Sequence, residues 1–195
     1  MPHVVSREDG PHTWDDFIRL GEDDLRELID GELVEVEVPT NAHEAIVALL
    51  IELLGHWAKT RHAGRVLGSA YKLRISAKKG VMPDVQFYRA GNLPRGQSQG
   101  LVEGHPDLVV EVVSKTSARY DRVKKLSYYA LLGVPEYWIV VPAARTLERL
   151  VLETGRYAIA EALADDEVLR PATFEGLEVP LAELWQAVDE LERDA

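Results

Sequence analysis

Residues 108 to 113 read Leu-Val-Val-Glu-Val-Val, with Pro106-Asp107 before them and Ser114 after. An apolar run of this kind is the pattern of an interior strand covered on both faces, so the chain must build a sheet with packing layers above and below it. Glu111 stands in the middle of the run with two valines on each side. A carboxylate in that position has to be paired, protonated or bound to a cation, because an uncompensated buried charge is strongly unfavourable. Glu111 is therefore the residue around which both fold and function have to be explained.

The flanking segments supply the remaining layers. Thr13 ahead of Trp-Asp-Asp predicts a short capped helix over 13–20. Asp30-Gly31 between two alternating segments predicts a β-hairpin over 27–38 with a tight turn. Residues 41–62 carry Ile46, Leu49, Leu50, Leu53, Leu54 and Trp57 at helical spacing, with Asn41 as a cap and Gly64 as a stop. Strands are predicted at 66–75, 85–88, 108–113, 137–141 and 147–152, a second helix at 117–132 ended by Gly133, and an acidic helix at 181–193. This order predicts an α/β (α+β) fold, a mixed sheet flanked by helices on both faces with an N-terminal β-hairpin. At 195 residues the chain is expected to form a single domain with its core at about 14–184, burying about 70% of its unfolded surface.

Composition excludes several chemistries. The chain has no cysteine, which rules out a disulfide scaffold, a thiolate zinc site and a cysteine nucleophile. Its six histidines show no H-E-x-x-H spacing, so an unrelated metal hydrolase has no support. The first ten residues, MPHVVSREDG, do not form a secretory leader, and the apolar run 45–54 is broken by Glu52 and shorter than the about 20 residues that span a bilayer. The expectation is a cytoplasmic protein with no membrane contact. The net charge is −11, but unevenly spread: −9 over residues 1–38, +7 over 39–159 and −9 over 160–195. Lys59, Arg61, Arg65, Lys72, Arg74, Lys78 and Lys79 lie between His56 and Met82 without an acid among them. Such a stretch is either a set of solvated faces or a surface for a polyanion.

Three acids and one helix stripe are candidates for chemistry. Pro83-Asp84 precedes one apolar strand and Pro106-Asp107 precedes another. Asp107 and Glu111 share a strand face but lie about 13 Å apart along it at 3.3 Å per residue, too far to share a metal directly, so Asp84 on a neighbouring strand is the better partner for Glu111. Asp84 and Asp107 also suit turns after a proline, and Glu111 also suits a structural salt bridge. On the second helix Asp121, Lys125 and Tyr129 form one stripe, opposite Val123 and Ala130. The stripe is either an exposed Asp-Lys pair or the wall of a cleft beside the sheet.

Glu27-Leu-Ile-Asp-Gly-Glu-Leu-Val34, Pro83-Asp84-Val, Pro106-Asp-Leu-Val-Val-Glu-Val-Val-Ser114, Asp121-x-x-x-Lys125-x-x-x-Tyr129 and Gly133-Val-Pro-Glu-Tyr-Trp-Ile-Val140 occur in this order. Together they resemble the bacterial Uma-two family of restriction-endonuclease-like proteins, assigned to the PD-(D/E)XK nuclease-like superfamily, over residues 14 to about 184. The resemblance implies that Asp84 is the aspartate of the PD motif and Glu111 the acid of the (D/E)XK motif, together holding Mg²⁺ or Mn²⁺. The lysine two positions after that acid is replaced by Val113. The family pattern implies that Lys125 takes over its role, within about 4 to 6 Å of Glu111. Glu44 is a candidate further carboxylate, and His43 stands where the family often has histidine, also a place for capping or packing.

The function that follows is metal-dependent hydrolysis of DNA phosphodiester bonds, with a homodimer expected because cutting both strands commonly pairs two sites about a two-fold axis. The alternative is a non-catalytic nucleic-acid-binding or interaction module that keeps the fold with a degenerate site, favoured by Val113 and by the overall negative charge.

Overall fold

A computed structural model describes residues 7–8, 10–21, 23–36, 38–69, 71–93, 100–101, 103–113 and 121–193, without the side chains of residues 7, 8, 101, 121 and 192. The chain begins with β1 (Arg7–Glu8), α1 (Trp14–Ile18), β2 (Arg26–Ile29), β3 (Glu32–Glu35) and α2 (Asn41–Thr60). It continues through β4 (Gly64–Gly68), β5 (Lys72–Ser76), β6 (Lys79–Val81), β7 (Val85–Arg89), β8 (Gly100–Leu101) and β9 (Leu108–Val112). A π-helical turn (Asp121–Lys125) leads into α3 (Leu126–Leu132) and β10 (Glu136–Val141). The last elements are β11 (Thr146–Glu153), β12 (Arg156–Ala164), β13 (Val168–Leu169), β14 (Val179–Pro180) and α4 (Leu181–Arg193).

The central sheet has the order β12-β11-β10-β9-β7-β4. Its neighbours are antiparallel except β9 and β10, which run parallel because the chain crosses between them through α3. All five residues of β9 are buried, as the apolar run demands. One face of the sheet, with Val85, Phe87, Val110 and Trp138, is covered by Ile46, Leu50, Leu54 and Trp57 of α2 and by Leu181, Leu184 and Trp185 of α4. Trp57, Phe87 and Phe174 meet edge to face there, each pair of ring centroids 5.6 Å apart. The other face, with Tyr88, Val109, Val113 and Ile139, is covered by Tyr128 and Tyr129 of α3 and by Leu73 and Val81 of a second sheet.

That second sheet, in the order β1-β3-β2-β6-β5-β8, contains the predicted hairpin. Asp30 and Gly31 have φ of 54° and 87°, the two positive values that a two-residue hairpin turn matching the strand twist requires. On one face of the hairpin Leu28 and Leu33 pack with Trp14 and Phe17 of α1. Side chains alternate along a strand, so Glu27 faces the opposite way, toward α3 and β9.

The mixed sheet with helices on both faces and the N-terminal hairpin are as expected, and several boundaries are corrected. The segment predicted as one strand over 66–75 is two strands, β4 and β5, which join different sheets. The cap of α2 is Thr40, whose Oγ1 accepts the His43 N–H at 3.2 Å, not Asn41. That helix ends at Thr60 with Arg61 as its cap and His62 at a φ of 52°, while Gly64 opens β4 instead of stopping the helix. The start of the predicted second helix, 117–120, lies outside the described residues. Gly133, at a φ of 85°, closes α3 as expected.

Candidate active site

The end of β9 collects the candidate residues because three elements converge on it. The register of β7 against β9 pairs Val85 with Val110, so Asp84, one residue earlier, comes opposite Glu111. Asp84 Oδ2 accepts the Val112 N–H at 2.7 Å, so its carboxylate continues the ladder where the β7 backbone ends. The same oxygen lies 3.1 Å from His43 Nε2, while His43 Nδ1 lies 3.1 Å from Glu44 Oε1. Oδ1 of Asp84 has no partner among the described residues.

Glu111 is 2% exposed and fully engaged. Lys125 Nζ donates to both of its carboxylate oxygens at 3.0 Å, and Tyr129 Oη donates to Oε1 at 2.5 Å. The ammonium is thus nearer than the 4 to 6 Å expected from sequence, and Lys125 is itself buried. On its other side, Nζ lies 3.4 Å from Glu27 Oε1, an oxygen that also accepts the Met82 N–H at 3.1 Å. Burial, and then the adjacent Glu111 charge, raise Tyr129 well above the ordinary tyrosine value, so it stays a neutral donor.

The helix stripe lies opposite Val123, as the helical wheel places it, and it is the wall beside the sheet rather than an exposed pair. Val123 is 57% exposed, whereas Lys125 and Tyr129 face the sheet. A π-helical turn over Asp121–Lys125 leads into this face. The Asp121 side chain lies outside the described residues. Val113, which stands where the superfamily has lysine, is buried with Tyr129 and Ile139, and Lys125 reaches the same face from the crossover helix. Glu27 was assigned no role from sequence. Its only signal there was an acid alternating with apolar residues in a hairpin, and tertiary packing alone decides what it meets.

Two other candidates lie apart. Asp107 accepts the Arg89 N–H at 2.8 Å and Asn92 Nδ2 at 3.0 Å at the beginning of β9, a turn role. Glu44 touches His43 from the outer side, with its side chain 62% exposed. The basic stretch also contributes less surface charge than its count implies. Lys72 is buried, donating to the Leu20 carbonyl at 2.8 Å, and Arg74 and Lys79 are half-buried, while Lys59, Arg61, Arg65 and Lys78 remain exposed.

Among the described residues no group of three or more histidine, aspartate or glutamate side chains could hold a metal ion by itself. The donor set instead suits Mg²⁺ or Mn²⁺ bound by one or two carboxylates, its remaining positions left to water and substrate phosphate. Asp84 Oδ1, without a partner among the described residues, is the oxygen that would hold such a cation.

The family model described as "Putative restriction endonuclease" matches residues 14–182. The chain belongs to this family, Uma2. Among solved structures, the Uma2 chain is similar to one titled a putative nuclease belonging to DUF820 from Anabaena variabilis ATCC 29413. The two share 18% identity and a TM-score of 0.75, covering 91% of this chain and 99% of that one, which shows a common fold. The type IIG restriction endonuclease BpuSI matches at 13% identity and a TM-score of 0.41, over 81% of this chain and 18% of that one. No curated protein matches. Among the described residues, no helix is long and apolar enough to cross a membrane.

Two outcomes follow from this geometry. Removing one partner of a buried ion pair costs about 3 to 5 kcal/mol, against a few tenths for an exposed pair. Lys125→Met, which keeps the apolar stem, should therefore lower the stability measured by urea denaturation by about 3 kcal/mol. A loss of about 0.3 kcal/mol would place Lys125 on the surface instead.

His43 supplies the second. Burial opposes its charge, but the hydrogen bond and charge of Asp84, followed by those of Glu44, outweigh that and raise its pKa above 6.5. Its contribution to stability is fully present below 6.5 and is lost as pH rises through the higher folded value. NMR titration of the metal-free protein should show a raised His43 pKa that falls in Asp84→Asn. The stability gap between the two proteins should narrow as pH rises through that folded value.

Proposed function

We propose that this chain is a divalent-cation-dependent DNA endonuclease with Asp84, Glu111 and Lys125 as its catalytic groups. The observation that carries the proposal is the buried Lys125 ammonium held 3.0 Å from both oxygens of Glu111, beside the strand position occupied by Asp84. It places a lysine next to the motif acid although Val113 stands at the usual lysine position. Membership of a restriction-endonuclease family supports DNA as the substrate.

Each residue has a task that its surroundings prepare. Asp84 and Glu111 offer hard oxygen donors to a cation, which when bound supplies Lewis-acid polarisation of the phosphodiester and a counter-charge to it. The Val112 N–H and His43 fix the Asp84 carboxylate, and Tyr129 fixes Glu111. Lys125 orients the attacking water and offsets charge developing on the phosphate, with most of the reorganisation already done because its ammonium is held in a dry setting. No step needs a nucleophilic side chain, consistent with a chain lacking cysteine.

A second reading, the non-catalytic binding module, draws support from the saturation of both Glu111 oxygens by Lys125. Plasmid cleavage separates the two. The endonuclease should convert supercoiled plasmid to nicked or linear DNA with Mg²⁺ or Mn²⁺ and lose this activity in EDTA. Asp84→Asn should be slower by about 100-fold or more with nearly unchanged DNA affinity. DNA binding without cleavage under either metal would establish the binding module.

A further inference from the structure

We infer that Glu27 is a positioning residue that holds the far side of the Lys125 ammonium and, through the same oxygen, the segment that delivers Asp84; this rests on the proposed site. Glu27 Oε1 lies 3.4 Å from Lys125 Nζ and accepts the Met82 N–H at 3.1 Å. Met82 is two residues before Asp84, so one carboxylate oxygen links the lysine to the strand connection that bears the aspartate. The Glu27 and Lys125 side chains are 2% and 8% exposed, so solvent does little to weaken their contact.

Packing alone does not call for an acid here. The outward face of the hairpin already binds α1 through Leu28 and Leu33, and an apolar residue on the inward face would pack without the desolvation cost of a second buried carboxylate. What a carboxylate adds is a second anchor for the ammonium. In the structure Lys125 takes both oxygens of Glu111. A ligand that claims one of those oxygens leaves Lys125 still paired with Glu27, so the ammonium stays beside the reacting phosphate. The hairpin sheet thereby completes a site whose other groups come from β9, the π-helical turn and the approach to β7.

Glu27→Gln is the informative variant, because its amide oxygen still accepts the Met82 N–H and a purely structural role would survive. Lys125 reactivity is read by acylation with the N-hydroxysuccinimide ester of acetic acid and peptide mass spectrometry, with exposed Lys59 and Lys78 as internal references. Glu27→Gln should raise Lys125 labelling about tenfold relative to those lysines and lower kcat for Mg²⁺-dependent plasmid cleavage about tenfold at unchanged KM. Either readout at its wild-type value overturns the inference. If wild-type protein does not cleave, the nuclease proposal falls and labelling alone decides the Glu27–Lys125 contact. If Glu27→Gln does not fold, Glu27→Asp takes its place, its carboxylate one methylene short of the ammonium. Raised Lys125 labelling in that variant supports the inference and unchanged labelling overturns it.

Discussion

The Lys125 ammonium, enclosed by Glu111 and Glu27, is the interaction on which the arrangement of this molecule depends. It joins three elements from separate layers: the central strand β9, the turn ahead of α3 and the hairpin strand β2. Buried ion pairs of this kind add little net stability compared with apolar packing, yet breaking one is costly. Its value is therefore in specifying where the layers meet.

A second buried ion cluster clarifies what is particular about the first. On the other face of the sheet Glu136 accepts Trp138 Nε1 at 2.8 Å and the Thr173 hydroxyl, with Arg149 Nε 3.8 Å away and donating to Glu161 at 3.1 Å. These groups belong to adjoining strands and the segment packed on them, and they read as an internal staple. At the Asp84 end, by contrast, the side chains come from separate layers and a histidine bridges Asp84 to an exposed acid. The proposed site lies at that end of β9.

Much of this was legible in the residue order. The doubly buried strand followed from five apolar neighbours around Glu111, the hairpin from Asp30-Gly31, and the long helix from its spacing of leucines. Asp84 and Lys125 were singled out by strand position and helix stripe, with their roles implied by the family resemblance, and the structure brings both to the Glu111 end of β9. The rest needed three dimensions. Which face of the second helix packs inward was unreadable, because the buried stripe carries a lysine and Val123 on the opposite side is exposed. The division of 66–75 between two sheets depends on which layer each half meets, and β12, with alanines at four of its nine positions and Ile159 largely exposed, lies at a sheet edge where an apolar pattern is not required. Glu27 gained its meaning only when the hairpin was folded against α3.

The most direct measurement is a crystal structure of the protein soaked in Mn²⁺, with the anomalous signal used to locate the ion. The account predicts a peak about 2.1 Å from carboxylate oxygens of Asp84 and Glu111, with Lys125 Nζ still in contact with Glu27 or Glu111. Binding of Mn²⁺ only elsewhere, with Lys125 still holding both Glu111 oxygens, would contradict it.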